Sequence, residues 1–223
     1  VQNVRNSGEL YVYHPLAVLR ILVEEFGFDQ KDSGFTDLFV ASILHDTFED
    51  EFEGNGKKFW KENGRVLPEI ERRFGSKVVE MVEGMTKDKI YIKVGEEKKG
   101  VVNDENTFNN VMRMALVNPG IIQIREADRL HNWRTIDGMK LSKKAESVRE
   151  TLEFFRPIAV KLGMTKVVAE FDENIEKVRQ ELVEYNRTKK PEEPTIEINE
   201  KGVYDVTPWF SQLGVIDHAE VLK

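Results

Sequence analysis

The chain has 223 residues, of which 40% are hydrophobic and 33% are charged, and these proportions are typical of a globular protein with a buried core. The formal net charge of −7 argues against a broad nucleic-acid-binding face, and no apolar run approaches the roughly 20 residues of a membrane-spanning helix. Cysteine is absent, so any metal site must use histidines and carboxylates. We therefore expect a cytoplasmic protein that binds neither nucleic acid nor membranes.

Apolar residues recur at helical spacing along most of the chain, and this pattern predicts an all-α fold. Pro15 is placed as a first-turn proline, and the helix that it opens is predicted to end before Gly27. Further helices are predicted over residues 38–48, 68–74, 76–85, 105–117, 120–132, 144–155 and 164–187.

Two segments depart from helical spacing. Residues 88–103 alternate apolar and polar side chains, which predicts a small β-hairpin or an exposed loop. Short strands are predicted in the C-terminal tail, around Ile196, Ile198 and Val203. We expect a main domain over residues 1–187 and a C-terminal extension over residues 188–223, which packs on the domain or on a second subunit of a homo-oligomer.

Four ionisable residues follow the apolar run that precedes His45. His45 and Asp46 are adjacent, and Glu49 and Asp50 lie four residues further on. Because residues i and i+4 share a helix face, His45 would lie over Glu49 and Asp46 over Asp50. The alternative interpretation is a helix that leaves the core and becomes a solvated acidic face.

Two other segments place polar groups beside apolar ones. Asp128 and Asn132 share a helix face after an apolar entry, and His14 precedes the helix that starts at Pro15. Each has an ordinary alternative: Asp128 pairs with a nearby arginine, and His14 and His131 cap or pack. Taken together, His14, His45, Asp46 and Asp128 supply the two imidazoles and two carboxylates of a mixed nitrogen and oxygen metal site.

These segments resemble the HD superfamily of metal-dependent phosphohydrolases, and more closely its RelA/SpoT-type alarmone hydrolase domain. The resemblance covers about residues 2–175, in order and with similar spacings. Its motifs are Arg5–Pro15, Leu44–Asp50, Val82–Lys87, Ala127–Thr135 and Glu150–Gly163.

The resemblance implies an HD-domain orthogonal helical bundle that removes pyrophosphate from the 3′ position of guanosine tetra- or pentaphosphate, usually with Mn²⁺. It assigns His14, His45, Asp46 and Asp128 to the metal, Glu49 and Asp50 to catalysis, and Arg5, Asn132 and Thr135 to the nucleotide. About 60 residues follow Gly163, too few for a synthetase domain. The chain therefore resembles a hydrolase-only, small alarmone hydrolase, or a fragment of a longer protein.

Asn6 departs from the family pattern, which has a lysine at this position. The change removes a cation beside Arg5 and keeps a second interpretation open, in which the substrate is another nucleotide, such as an adenosine alarmone or the 2′-phosphate of NADPH. A third interpretation is a nucleotide-binding sensor or antitoxin partner without catalysis. The complete set of ligands and catalytic carboxylates argues against this third one.

Overall fold

The computed structural model describes Leu10 and residues 12–29, 31, 34–46, 66–85, 89–94, 97–102 and 104–212. The described part is mostly helical. Its helices are α1 Tyr13–Glu24, α2 Phe35–Leu44, α3 Val66–Phe74, α4 Ser76–Met85, α5 Asp104–Ala115, α6 Gly120–Arg134, α7 Leu141–Glu150, α8 Arg156–Lys161, α9 Thr165–Thr188 and α10 Thr207–Gln212. A short 3₁₀ turn, Ile136–Gly138, follows α6, and a π-helical turn, Thr151–Phe155, joins α7 to α8.

Two antiparallel strands lie between α4 and α5. They are β1 Lys89–Val94 and β2 Glu97–Val102, and Ile90 is paired with Val101 and Ile92 with Lys99. In the described part of the chain, no helix is both long enough and apolar enough to cross a bilayer.

The described residues fall into two compact units, the first drawn from Pro15–Arg125 and the second from Val1–His14 and Glu126–Val221. In the first unit, α2 packs on α4, and α4 packs on α5. Gly120, the first residue of α6, permits a close approach here, because a Cβ atom at this position would lie 2.6 Å from Cδ1 of Leu38. The absence of a side chain thus lets α6 begin directly against α2.

Helix α2 is shorter than the sequence predicted. It ends at Leu44, and the predicted continuation to Phe48 is not found in the described residues. His45 still has helical backbone angles, with φ −57° and ψ −38°, and His45 and Asp46 form a turn. Residues 47–50 lie outside the described residues, so the predicted stacking of His45 over Glu49 stays a prediction.

The second unit contains the long helix α9, which packs on α7 and α8. Its buried side chains are all apolar and recur every three or four residues: Val167, Phe171, Ile175, Val178 and Leu182. This confirms the apolar stripe predicted for the helix. The stripe gives α9 its apolar contact with the unit, and ion pairs such as Arg134–Glu170 and Lys144–Glu181 join the helix to the unit as well.

The tail of the second unit, residues 194–206, has neither helix nor strand, so the short strands predicted around Ile196, Ile198 and Val203 are not found there. Side chains of the unit take the place of a strand partner. The amide of Asn186 donates to the Ile196 carbonyl oxygen (2.7 Å) and accepts from the Ile196 N–H (3.0 Å). Glu153 accepts from the backbone N–H of Lys201 through its carboxylate and from that of Tyr204 through its carbonyl. These backbone groups of Ile196, Lys201 and Tyr204 therefore have hydrogen-bond partners without a β-sheet.

Candidate metal centre

His14 and Asp128 form the first pair of predicted metal ligands. His14 is the second residue of α1, not the residue before the helix as predicted, and its side chain is completely buried. Asp128 lies in the middle of α6 and is also buried. Nε2 of His14 lies 3.1 Å from Oδ1 of Asp128, so this nitrogen faces a carboxylate.

His45 and Asp46 form the second pair, directly after α2. Nδ1 of His45 lies 2.6 Å from the carbonyl oxygen of Ser42, and because a carbonyl only accepts, Nδ1 donates its hydrogen. In the neutral ring this leaves the lone pair on Nε2, which lies 3.3 Å from Oδ1 of Asp46. A hydrogen bond that fixes one ring nitrogen in this way is the usual preparation of a histidine for a metal.

The structure brings together His14, His45, Asp46 and Asp128 as a cluster of ligand atoms that could hold a metal ion. Two imidazole nitrogens and two carboxylates suit a transition-metal dication, whereas Ca²⁺ prefers oxygen ligands alone. Both histidines and Asp128 are buried, and Asp46 is half-buried. The donor set therefore fits a divalent metal.

Two further residues of α6 contact the ligands. Asn132 donates from Nδ2 to Oδ1 of Asp128 at 2.7 Å, one helical turn away. His131 places its Nδ1 2.8 Å from Nδ1 of His14, with the two ring planes at 53°. The family resemblance assigned Asn132 to the nucleotide, and the ordinary alternative for His131 was a capping or packing role. A signal for His131 was present, because residues 128 and 131 share a helix face.

The HD domain family matches residues 2–165 of the chain, about three quarters of its length. The chain belongs to the HD domain family. The match includes all four clustered residues and both helices, α1 and α6, that carry His14 and Asp128.

Several curated proteins share this HD domain. A GTP pyrophosphokinase of Streptomyces coelicolor is 37% identical over 170 residues, which are 76% of this chain and 17% of that protein. The bifunctional (p)ppGpp synthase/hydrolase SpoT of Escherichia coli is 33% identical over 170 residues, which are 76% of this chain and 21% of SpoT. A guanosine-3′,5′-bis(diphosphate) 3′-pyrophosphohydrolase of Aquifex aeolicus is 29% identical over 169 residues, 76% of this chain and 20% of the relative. The chain thus spans about a fifth of the length of these relatives.

The remaining predicted site residues of the HD domain have different outcomes. Thr135, the residue after α6, is half-buried and donates from Oγ1 to the carbonyl oxygen of His131 at 3.1 Å. Arg5, Glu49 and Asp50 lie outside the described residues, so their predicted roles at the nucleotide and in catalysis remain predictions.

The HD domain also buries several charged side chains on α6. Arg129 forms an ion pair with Glu150, and its guanidinium lies over the ring of Phe155, 4.2 Å from the ring centre. Glu126 is completely buried and Arg125 nearly so. Removing Glu150 would leave the buried Arg129 guanidinium without its ion-pair partner, which is costly in a buried position.

Proposed function

We propose that this HD domain hydrolyses the 3′-diphosphate of guanosine tetra- or pentaphosphate, releasing pyrophosphate and leaving GDP or GTP. The observation that carries the proposal is the cluster of His14, His45, Asp46 and Asp128. The names of the relatives suggest the substrate, since relatives at 29–33% identity are (p)ppGpp hydrolases by name.

We propose that the cluster holds a divalent ion, with Mn²⁺ as the preferred metal. Nε2 of His14 and Nε2 of His45 would be the nitrogen ligands, and Asp46 and Asp128 the oxygen ligands. A divalent ion bound there supplies a Lewis acid that polarises phosphoryl oxygens and lowers the pKa of water. The carbonyl of Ser42 fixes the His45 ring for this role.

The reaction breaks the bond between the 3′ oxygen and the adjacent phosphorus. The oxygen of water adds to that phosphorus, the 3′ oxygen leaves and takes up a proton, and pyrophosphate departs with the oxygen from water. Glu49 and Asp50 are proposed to orient the water and accept its proton, a contribution worth about 10²–10⁴-fold. Arg5, Asn132 and Thr135 are proposed to bind the nucleotide.

Product analysis tests this proposal. Purified protein is incubated with guanosine tetraphosphate and Mn²⁺, with and without a chelator, and the products are resolved by anion exchange. We expect GDP and pyrophosphate only when the metal is present, and in ¹⁸O-labelled water we expect the label in pyrophosphate. Label in GDP, or release of orthophosphate, would contradict the proposed bond cleavage.

Variants of the cluster separate binding from catalysis. His45→Ala is expected to lose both the ion and turnover, whereas Asp50→Asn is expected to keep the ion and lose turnover. Asp172→Asn is a matched control, because this carboxylate on α9 is paired with Arg156 on α8 and is not one of the proposed ligands. Near wild-type turnover in Asp50→Asn would show that the catalytic assignment is wrong.

The base preference needs a second assay, because Asn6 replaces the lysine of the family pattern. A panel of guanosine and adenosine 3′-diphosphates, together with NADPH as a 2′-phosphate substrate, is expected to show preference for guanosine. Preference for adenosine or for NADPH would keep the metal chemistry and change the substrate. The cytoplasmic location and the homo-oligomer stay predictions of the sequence.

A further inference from the structure

A hydrogen bond joins the side-chain rings of His14 and His131. Their Nδ1 atoms are 2.8 Å apart, a normal hydrogen-bond distance, and the ring centres are 4.8 Å apart. Two imidazole nitrogens make a hydrogen bond only when one carries the hydrogen and the other offers its lone pair. The tautomer of one ring therefore sets the tautomer of the other.

The opposite nitrogen of His14 faces the proposed ion site. Its Nε2 lies 3.1 Å from Oδ1 of Asp128, and Nε2 is the only ring nitrogen of His14 left for a metal, because Nδ1 is engaged with His131. A histidine ligand must offer a lone pair. For a neutral His14 to offer it at Nε2, the ring must carry its hydrogen on Nδ1.

We propose that His131 is a positioning residue that fixes the metal-binding tautomer of His14. In this arrangement, Nδ1–H of His14 donates to Nδ1 of His131, and His131 carries its own hydrogen on Nε2. The inference rests on the metal site of the proposed function, but it concerns a residue with no part in that proposal. Both rings are almost completely buried, so bulk water is a poor substitute for the lost acceptor.

The pair also has a second arrangement, which the ion-free protein is expected to use. Nε2–H of His14 then donates to Oδ1 of Asp128, and Nδ1–H of His131 donates to Nδ1 of His14. Each ring carries one hydrogen in both arrangements, so the change needs no net uptake or release of protons. Ion binding would therefore reverse the direction of the His14–His131 hydrogen bond.

Two substitutions of His131 test the role of its acceptor. In His131→Asn, the side-chain oxygen can take the place of Nδ1, whereas His131→Leu keeps bulk and removes the acceptor. Calorimetric titration with Mn²⁺ is expected to show an affinity about 10–100-fold weaker for His131→Leu, the usual cost of removing the partner of a histidine ligand. His131→Asn is expected to stay within a few-fold of wild type.

Leu130→Ala is the matched control for packing. Leu130 is buried on the same helix, one residue before His131, and it has no polar atom to offer His14. We expect this variant to lower the melting temperature and leave the affinity for Mn²⁺ unchanged. If His131→Asn, His131→Leu and Leu130→Ala all lost the same affinity for Mn²⁺, His131 would be only a packing residue and the inference would be overturned.

Nitrogen NMR on wild-type protein with ¹⁵N-labelled histidine gives a readout that does not depend on any variant folding. With Zn²⁺ as a diamagnetic probe, Nδ1 of His131 is expected to move from the shift of a protonated nitrogen to that of an acceptor. If Nδ1 of His131 stays protonated in the Zn²⁺-bound protein, the inference is wrong. Failure to hydrolyse guanosine tetraphosphate while this change occurs would instead contradict the proposed function alone.

Discussion

Helices α6 and α9 bury opposite kinds of side chain. Every residue of α6 from Ile121 to His131 is buried, and this run contains Arg125, Glu126, Asp128 and Arg129. On α9 the buried residues are all apolar and lie on one stripe, while most other positions reach solvent. A helix that buries charge needs a partner for each charged group, whereas an amphipathic helix needs only an apolar surface. We therefore expect substitutions on α6 to affect mainly metal binding and catalysis, and substitutions on α9 to affect mainly the stability of the fold.

Removing a large side chain from the stripe of α9 is expected to have the largest effect on stability. Phe171 is completely buried, so Phe171→Ala should lower the free energy of unfolding by about 3–5 kcal/mol through lost burial and a cavity. Denaturant melts of the ion-free protein measure this. Val183→Ala, at an exposed position on the same helix, is the control and should change the stability by less than about 0.5 kcal/mol. If a folded Phe171→Ala protein bound Mn²⁺ much more weakly than wild type, the expectation that α9 affects only stability would be wrong.

Asp128→Asn on α6 is expected to show the converse pattern. The substitution keeps the shape of the side chain and removes one carboxylate from the proposed ligand set, so Mn²⁺ binding should fall. Turnover should drop by at least about 10²-fold, the scale of losing one electrostatic contact in an active site. Calorimetry and the hydrolysis assay measure the two effects. Stoichiometric binding of Mn²⁺ at wild-type affinity would show that Asp128 is not a ligand.

The helices were predictable where burial follows a helical period. On α9, Val167, Phe171 and Ile175 recur every four residues, and the predicted span agrees with the structure to within a residue at each end. On α6, the apolar entry predicted a helix, but its burial on all sides was not predictable. Charged residues are normally assigned to solvent, and only tertiary partners such as Glu150 allow Arg129 to be buried.

The candidate metal ligands could be singled out from the sequence because their residue types are uncommon beside apolar runs, as with His45 and Asp46. For His131, the shared helix face with Asp128 was a signal, but the contact with His14 itself was not predictable, because it joins residues 117 positions apart. The tail was mispredicted for a similar reason. Alternating side chains suggest a strand, but the amide of Asn186 already satisfies the backbone of Ile196.

Asn132 on α6 and Asn174 on α9 form a matched pair, because each donates a hydrogen bond to the residue one turn earlier in its own helix. Asn132 donates to the carboxylate of Asp128, and Asn174 donates to the backbone carbonyl of Glu170 at 2.8 Å. Asn132→Ala should weaken Mn²⁺ binding by about 10-fold, since partners of ligands orient them. Asn174→Ala should leave binding unchanged. A higher KM with unchanged Mn²⁺ affinity in Asn132→Ala would favour a contact with the nucleotide alone.

The smallest effect is expected at the solvent-facing side of α9, where Arg156 holds Asp172 by two hydrogen bonds of 2.7 and 2.9 Å. The Arg156 guanidinium lowers the pKa of the Asp172 carboxyl below its usual value. A carboxylate with a lowered folded-state pKa stabilises the protein above its unfolded-state pKa, and this stability is lost as the pH falls through the folded-state value. Asp172→Asn should therefore cost stability at neutral pH and nothing at a pH below both values.

The size of the stability loss in Asp172→Asn follows from the solvent exposure of the Asp172 side chain. Close to half of the Asp172 side chain is open to solvent, and water and salt screen such pairs, so the loss at neutral pH should be below about 1 kcal/mol. Urea melts of wild type and Asp172→Asn at neutral pH, in low salt and in 1 M NaCl, measure it, and the difference should shrink in high salt because screening is stronger there. Protonated aspartate and asparagine are both neutral, so the stability difference between wild type and Asp172→Asn should shrink as the pH falls. A difference that grew would contradict the predicted pH dependence. By contrast, Arg129 on α6 and its partner Glu150 on α7 are much less exposed, so salt should change the cost of Glu150→Gln far less.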